Sequence, residues 1–352
     1  MSDTALQIGK PGELITAVPA LLGFYPADSL VLVTLVHRPE GETLFIGVAA
    51  RLDLHIACDH LGSVAVDVAA IARQEAAAAL LILIVDSTAD GPDSGRAQPH
   101  RAIIDALRCE LAVNGVAVLD AWAVPAIEHG ARWWSLLGSG HGVLDDPGTS
   151  PIAVAHVLDG RPIRPDRGSL EALVAPDAPL ADQVRPLLTD TGTGPPRSED
   201  AVDTGAAEHR RAAVSEMIDR IDATAAGVTL TPEAAAGAAL ALRDRTVRDC
   251  LIGLIATPRA DAAQQFWALL ARGLPDPDRA QAATLLAVSA YTTGDGPLAI
   301  VAVHAALDSD PGHEMALLLD TALRTGMPPD RIREMAATLH NSAAALGVDL
   351  HA

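Results

Sequence analysis

The chain has 352 residues, more than one hydrophobic core ordinarily serves, so two domains are expected, each large enough to bury its own core. Apolar residues make up 49% but aromatic ones only 3%, so those cores must be built from Ala, Leu, Val and Ile. Acidic residues outnumber basic ones by 45 to 25, a net charge of −20 that excludes nonspecific attraction to nucleic acid or anionic membranes, and Lys10, the only lysine, leaves none for a Schiff base or a P-loop.

In chain order, Pro11 to Leu22 reads as a short helix carrying Leu14, Val18, Leu21 and Leu22 on one side, closed by Gly23. The turn Pro26-Ala-Asp-Ser29 leads into a strand from Leu30 to Val36. A second strand from Leu44 to Leu52 follows the polar loop Arg38-Pro-Glu-Gly41, so an antiparallel hairpin is expected. Helical spacing of Leu61, Val64, Val68 and Ile71 predicts a helix over 60–78, and the continuous apolar run Leu80 to Val85 a buried strand. Ile103, Ile104, Leu107 and Leu111 predict another helix and Val116 to Val124 another strand. Ala131 to Leu137 is a further candidate strand. From Gly138 to about Pro196 the composition is that of loops, with one short helical patch near Ser169 to Val174.

The expected organisation is an α/β domain over 1–188 with a mixed sheet covered by helices, a linker over 189–205 and an all-helical domain over 206–352. Helices are predicted over 208–225, 232–257, 260–272, 280–293, 297–308, 313–325 and 330–346. Gly294, Ala299, Ala306 and Pro311, spaced five, seven and five residues apart, match the turn glycine, packing alanines and closing proline of a tetratricopeptide repeat. In such a unit Gln281, Thr284, Val288, Tyr291 and Thr292 would line a groove for a protein or peptide partner.

Four local patterns are candidates for chemistry. Asp53, Asp86 and Asp120, near the ends of three predicted strands, could converge on a metal for phosphoryl chemistry; the alternative is solvated strand ends. His55, Cys58 and His60 have metal-ligand chemistry within six residues, with His129 or His141 as the completing ligand, set against a helix start between strand and helix. Arg132 beside Trp133 and Trp134 could bind an anionic or planar ligand, although strand packing explains the same residues. Ser29 with Asp28 could be a nucleophile and its support, but a turn in which both bond nearby backbone requires nothing more.

The segment Gly23-Phe-Tyr-Pro-Ala-Asp-Ser-Leu30, following Leu14-Ile-Thr-Ala-Val-Pro-Ala-Leu-Leu22, resembles the opening signature of the actinobacterial family named domain of unknown function 4192. Gly23, Phe24, Pro26 and Ser29 carry that signature. Arg132-Trp-Trp-Ser135 and the run Thr284 to Leu323 resemble its later blocks. The resemblance implies no activity and no cofactor. Cys58, Cys109 and Cys250 have no paired spacing, and the first ten residues have no signal segment, so a cytoplasmic protein with reduced thiols is expected. The leading reading is a noncatalytic adaptor that binds a protein partner through its helical domain. Its rivals are a metal-assisted hydrolase and a small-ligand sensor.

Overall fold

The computed structural model describes residues 10–37, 43–92, 95, 97–158, 163–189, 204–324, 327 and 329–350. The chain divides into two compact units, Met1–Ser169 with Arg324–Gly326 and Leu170–Leu323 with Met327–Ala352. Leu170–Thr189 thus belongs with the helices of the second unit. The expected linker lies almost wholly outside the described residues.

The first unit runs α1 (Pro11–Leu22), β1 (Ser29–His37), β2 (Leu44–Asp53), α2 (Leu54–Asp59), α3 (Leu61–Gln74), β3 (Ala77–Val85), α4 (Ala97–Val113), β4 (Ala117–Val124), β5 (Arg132–Ser135), β6 (His141–Val143) and α5 (Pro151–Leu158), and the division between the units falls within α6 (Arg167–Glu171). The strands form one sheet in the order β2-β1-β3-β4-β5-β6. Only β3 and β4 are parallel, joined through α4 as a crossover of that kind requires. The β1–β2 pair is antiparallel, as its short connection predicts.

Alternation along the strands sends Leu30, Leu32, Ile82, Ile84, Ala121, Ala123 and Trp134 into one core with Val64, Val68, Ile104 and Leu107 of α3 and α4. Val31, Val33, Leu83 and Val85 are buried on the other face. Residues Leu14 to Ala20 of α1 are all buried, more than the one-sided pattern implied. Gly23, at φ 73°, ends this helix in the left-handed conformation that glycine adopts without a Cβ penalty.

The second unit holds α7 (Ala178–Thr189), α8 (Thr204–Ala225), α9 (Pro232–Arg243), α10 (Arg245–Ile252), α11 (Ala260–Gly273), α12 (Arg279–Thr292), α13 (Gly296–Ser309), α14 (Glu314–Arg324) and α15 (Pro329–Ala345). Consecutive helices α11, α12 and α13 stack on one another, and α7 packs against α9 and α11. Phe266 and Trp267 of α11 are its largest fully buried side chains. Arg279, 8% exposed, donates from Nε to the Ala271 carbonyl and from Nη2 to the Val174 carbonyl, both at 2.8 Å, so a buried guanidinium is satisfied by backbone.

Two expectations need correction. The loop assigned to Gly138–Pro196 contains α5 and α7, because Pro151 stands at the first position of one and Pro179 near the start of the other, where a missing N–H costs nothing. The single helix expected over 232–257 is two, broken at Asp244. Its carboxylate accepts from the amides of Thr246 at 2.8 Å and Val247 at 3.3 Å and so starts α10 afresh.

Candidate functional site

The candidate site grows from one irregularity in β4. Leu80 pairs with Val118 but Leu81 pairs with Asp120, so Leu119 is an extra residue, a β-bulge. Val118 packs on the core beneath α3 and α4, and Ala121 belongs to it. Strict alternation would turn Asp120 toward that core; the bulge instead gives both Leu119 and Asp120 to the opposite face. There they line a cleft of about 310 Å³ with Pro11, Trp122, Trp133, Ser135 and the loop residues Leu137, Gly138 and Gly140.

Each wall has a local cause. Trp122 pairs with Ser135 across β4 and β5, so Trp122, Ser135 and Trp133 share the cleft face while Trp134 enters the opposite core. The Trp133 indole lies so close to Gly142 that a Cβ there would be 2.8 Å from its Nε1, and one at Gly12 would be 3.5 Å away. Only glycine at 142 admits the ring without displacement. Ser135 accepts at Oγ from the amides of Leu137 at 3.2 Å and Gly138 at 2.9 Å, which fixes the loop. Its hydroxyl donates to Asp120 Oδ1 at 3.3 Å, and the Ala121 amide donates to the same oxygen at 2.8 Å.

The expected Arg132–Trp pair is split. Trp133 lines the cleft, but Arg132 is exposed and lies on the Trp134 side of β5, since neighbours along a strand point to opposite faces. The three carboxylates do not converge either. Ser29 pairs with Asp53 on one side and Val85 on the other, so Asp53 and Asp86 sit at the same end of the strands. Asp120 lies four residues short of the matching end of β4, about 13 Å along the strand. Asp53 is held by Arg51 at 2.6 Å. His55, Cys58 and His60 are all exposed on α2 and the residue after it. Among the described residues, no group of three or more His, Cys, Asp or Glu side chains could hold a metal ion.

The Gly23–Ser29 segment is tied into the first unit by hydrogen bonds of its own side chains. Asp28, at φ 44°, accepts from the Ser87 amide at 3.0 Å and the Ser87 hydroxyl at 2.8 Å, tying the start of β1 to the loop after β3. Ser29 is fully buried and donates to the Ala27 carbonyl at 2.6 Å while accepting from Arg51 Nε at 2.8 Å. Both bonds hold the turn into β1. Phe24 and Pro26 are buried beside it, and Phe24 bridges to Arg164.

A buried pair beyond the signature carries no obvious sequence motif. His100 Nε2 lies 2.9 Å from Asp86 Oδ2, with the two residues 1% and 3% exposed. Burial pushes the Asp86 carboxyl up, but hydrogen bonds from the Thr88 hydroxyl and amide and the contact with His100 outweigh it, so the group titrates below its ordinary value.

The expected groove face is covered. Thr284, Val288 and Thr292 are buried within the second unit; Gln281 and Tyr291 are half-buried, and the Tyr291 hydroxyl donates to the Met327 carbonyl. Thr284 Oγ1 donates to Ala280 at 2.7 Å and lies 3.3 Å from His313 Nδ1. That ring nitrogen accepts from the Ala316 amide at 3.2 Å and so opens α14.

Burial and the positive charge of Arg248 lower the His313 pKa, against the opposing pull of Asp310 and Glu314. A histidine held neutral contributes stability above its unfolded value of 6.5, which is lost as the pH falls through that value toward the lower folded one. Denaturant titrations across this window should show the second unit weakening with acid in the wild type. His313→Asn, which can cap without titrating, should remove that part of the slope.

Trp122 and Asp120, two apart in one strand, were legible as neighbours on a face; the bulge that sets which face was not. Among the described residues no helix is long and apolar enough to cross a membrane. The chain matches no curated protein and no solved structure. A family model does match it over residues 11–330, with the description "Domain of unknown function (DUF4192)".

Proposed function

The chain belongs to the DUF4192 family over most of its length, and since that description carries no activity, we propose from the site itself that this member is a noncatalytic protein that binds a small ligand in the cleft of its α/β unit. The observation that carries the reading is the β4 bulge, which removes Asp120 from the apolar core and sets it among Trp122, Trp133 and Ser135. Small-ligand sites are concave, mainly apolar and marked by a few placed polar groups, and this cleft has that composition. Its lining supplies one carboxylate and one hydroxyl already engaged in holding a loop, with no histidine, cysteine or second acid to share a proton transfer.

A thermal-shift screen of a chemically diverse library tests the reading. Compounds that raise the melting temperature of the wild type should fail to do so for Leu119→Trp, which fills the rim from a side chain 53% exposed. Stabilisation that survives this substitution would place the ligand elsewhere.

A second reading keeps a protein partner for the helical unit. It is supported by the stacking of α11, α12 and α13 and by Ala299 and Ala306, both fully buried at tetratricopeptide spacing. On the face of α12 first expected to bind, Thr284, Val288 and Thr292 are buried while Gln281 and Tyr291 are half-buried.

A further inference from the structure

The cleft has a feature that narrows what can enter it. Among the described residues, both hydrogen bonds received by Asp120 go to Oδ1, from Ala121 and Ser135, and Oδ2 accepts none. No ion pair among the described residues reaches the carboxylate. Lys10, which precedes the lining residue Pro11, is exposed and makes none with it, and Arg132 lies on the other face of the sheet. Asp120 is therefore, among the described residues, the single charged side chain of the lining, half-buried and without an internal counter-ion.

Three ligand classes can be compared on that arrangement. An anion would be brought against Asp120 with no cation in the lining to offset the repulsion. A neutral apolar ligand would displace water from Oδ2 and leave a carboxylate oxygen unsatisfied, which costs more than a lost hydrogen bond between neutral groups. A small organic cation satisfies Oδ2 and at the same time lies against the indoles of Trp122 and Trp133, whose π-systems attract positive charge. The chain's net charge of −20 raises the local concentration of cations, and a volume of about 310 Å³ suits a compact ammonium.

We infer that the cleft between α1, β4, β5 and the 137–140 loop is a site for a small organic ammonium ion, with Asp120 as its counter-ion and Trp122 and Trp133 as its walls. The inference rests on the small-ligand reading above and adds the ligand's charge. Ser135 is a positioning residue: it orients the Asp120 carboxylate through Oδ1 and leaves Oδ2 to the ligand.

The test compares choline with its neutral isostere 3,3-dimethyl-1-butanol on the full-length protein, followed through the indole N–H resonances of its four tryptophans. Choline should shift the Trp122 and Trp133 resonances saturably and leave Trp267, in the other unit, unmoved. The isostere should bind at least about tenfold more weakly, and Asp120→Asn, which keeps the Oδ1 acceptor, should lower choline affinity by about tenfold or more with the isostere unaffected. Equal binding of the two probes, or an Asp120→Asn protein that binds choline as the wild type does, overturns the cation inference while leaving the small-ligand reading standing. Absence of any saturable shift with choline also overturns it, and the isostere and the library screen then decide the broader reading separately.

Discussion

Replacing Val288 by aspartate is expected to unfold the second unit while the sheet of the first stays folded. Val288 is 6% exposed in α12, between α11 and α13, and its neighbours Leu285, Leu286 and Ala287 are buried too. The substitution removes an apolar group worth roughly 1.5–3 kcal/mol on burial and places a carboxylate in a buried, mainly apolar helix interface. A total loss of at least about 4 kcal/mol is expected, a large part of what holds a domain together. Hydrogen exchange read by mass spectrometry on the full chain separates the outcomes. Peptides from 204–324 should lose protection and those from 77–124 keep it. A folded Val288→Asp protein would mean that this face is open after all and would restore it as a partner groove. Gln281→Glu is the matched control, because Gln281 is half-buried and its Oε1 accepts from Arg248, a bond that glutamate can keep.

Asp86→Ala should be nearly as damaging to the first unit. The substitution leaves the His100 ring, 1% exposed and without a partner at Nδ1 among the described residues, with neither nitrogen bonded to them. It also takes the acceptor at 2.9 Å from the Thr88 amide and the one at 2.6 Å from the Thr88 hydroxyl. Breaking one side of a buried pair costs about 3–5 kcal/mol, since the surviving polar group pays desolvation with nothing in return. The effect has a pH signature with a definite sign. The lowered pKa of Asp86 contributes stability above the ordinary carboxylate value of 3.8 that is lost as the pH falls through the lower folded value. Urea melts taken from neutral pH down through the carboxylate range should therefore show the gap between wild type and variant narrowing as Asp86 protonates. A gap that stays constant with pH would show that the carboxylate's charge is not what stabilises the pair.

Periodicity decided most of what could be read in advance. The run Leu80–Val85 and the hairpin before it had to be strands, because continuous apolar or alternating β-branched residues leave few other ways to bury their side chains. The helices from Ala260 to Ser309 followed from a 3.6-residue repeat with alanine at close contacts. Loop-like composition misled where proline opened a helix, as at Pro151, and where the Asp244 side chain restarted one.

The site is a different matter. The sequence by itself determined that Asp120, Trp122, Trp133 and Ser135 would lie on two strands, and that Trp133 and Trp134 would face opposite ways. Whether Asp120 faced the core or the cleft depended on one unpaired residue, Leu119, and a bulge is a property of the pairing with β3 rather than of β4 alone. Likewise, nothing within α12 distinguishes an open face from a covered one, because the covering groups come from His313 and Met327, 29 and 36 residues away from the side chains they meet. Local sequence fixes which side chains share a face through the geometry of a single element. What that face meets is settled by long-range packing, and so only the tertiary structure turned Asp120 toward the cleft and buried Thr284, Val288 and Thr292 of α12.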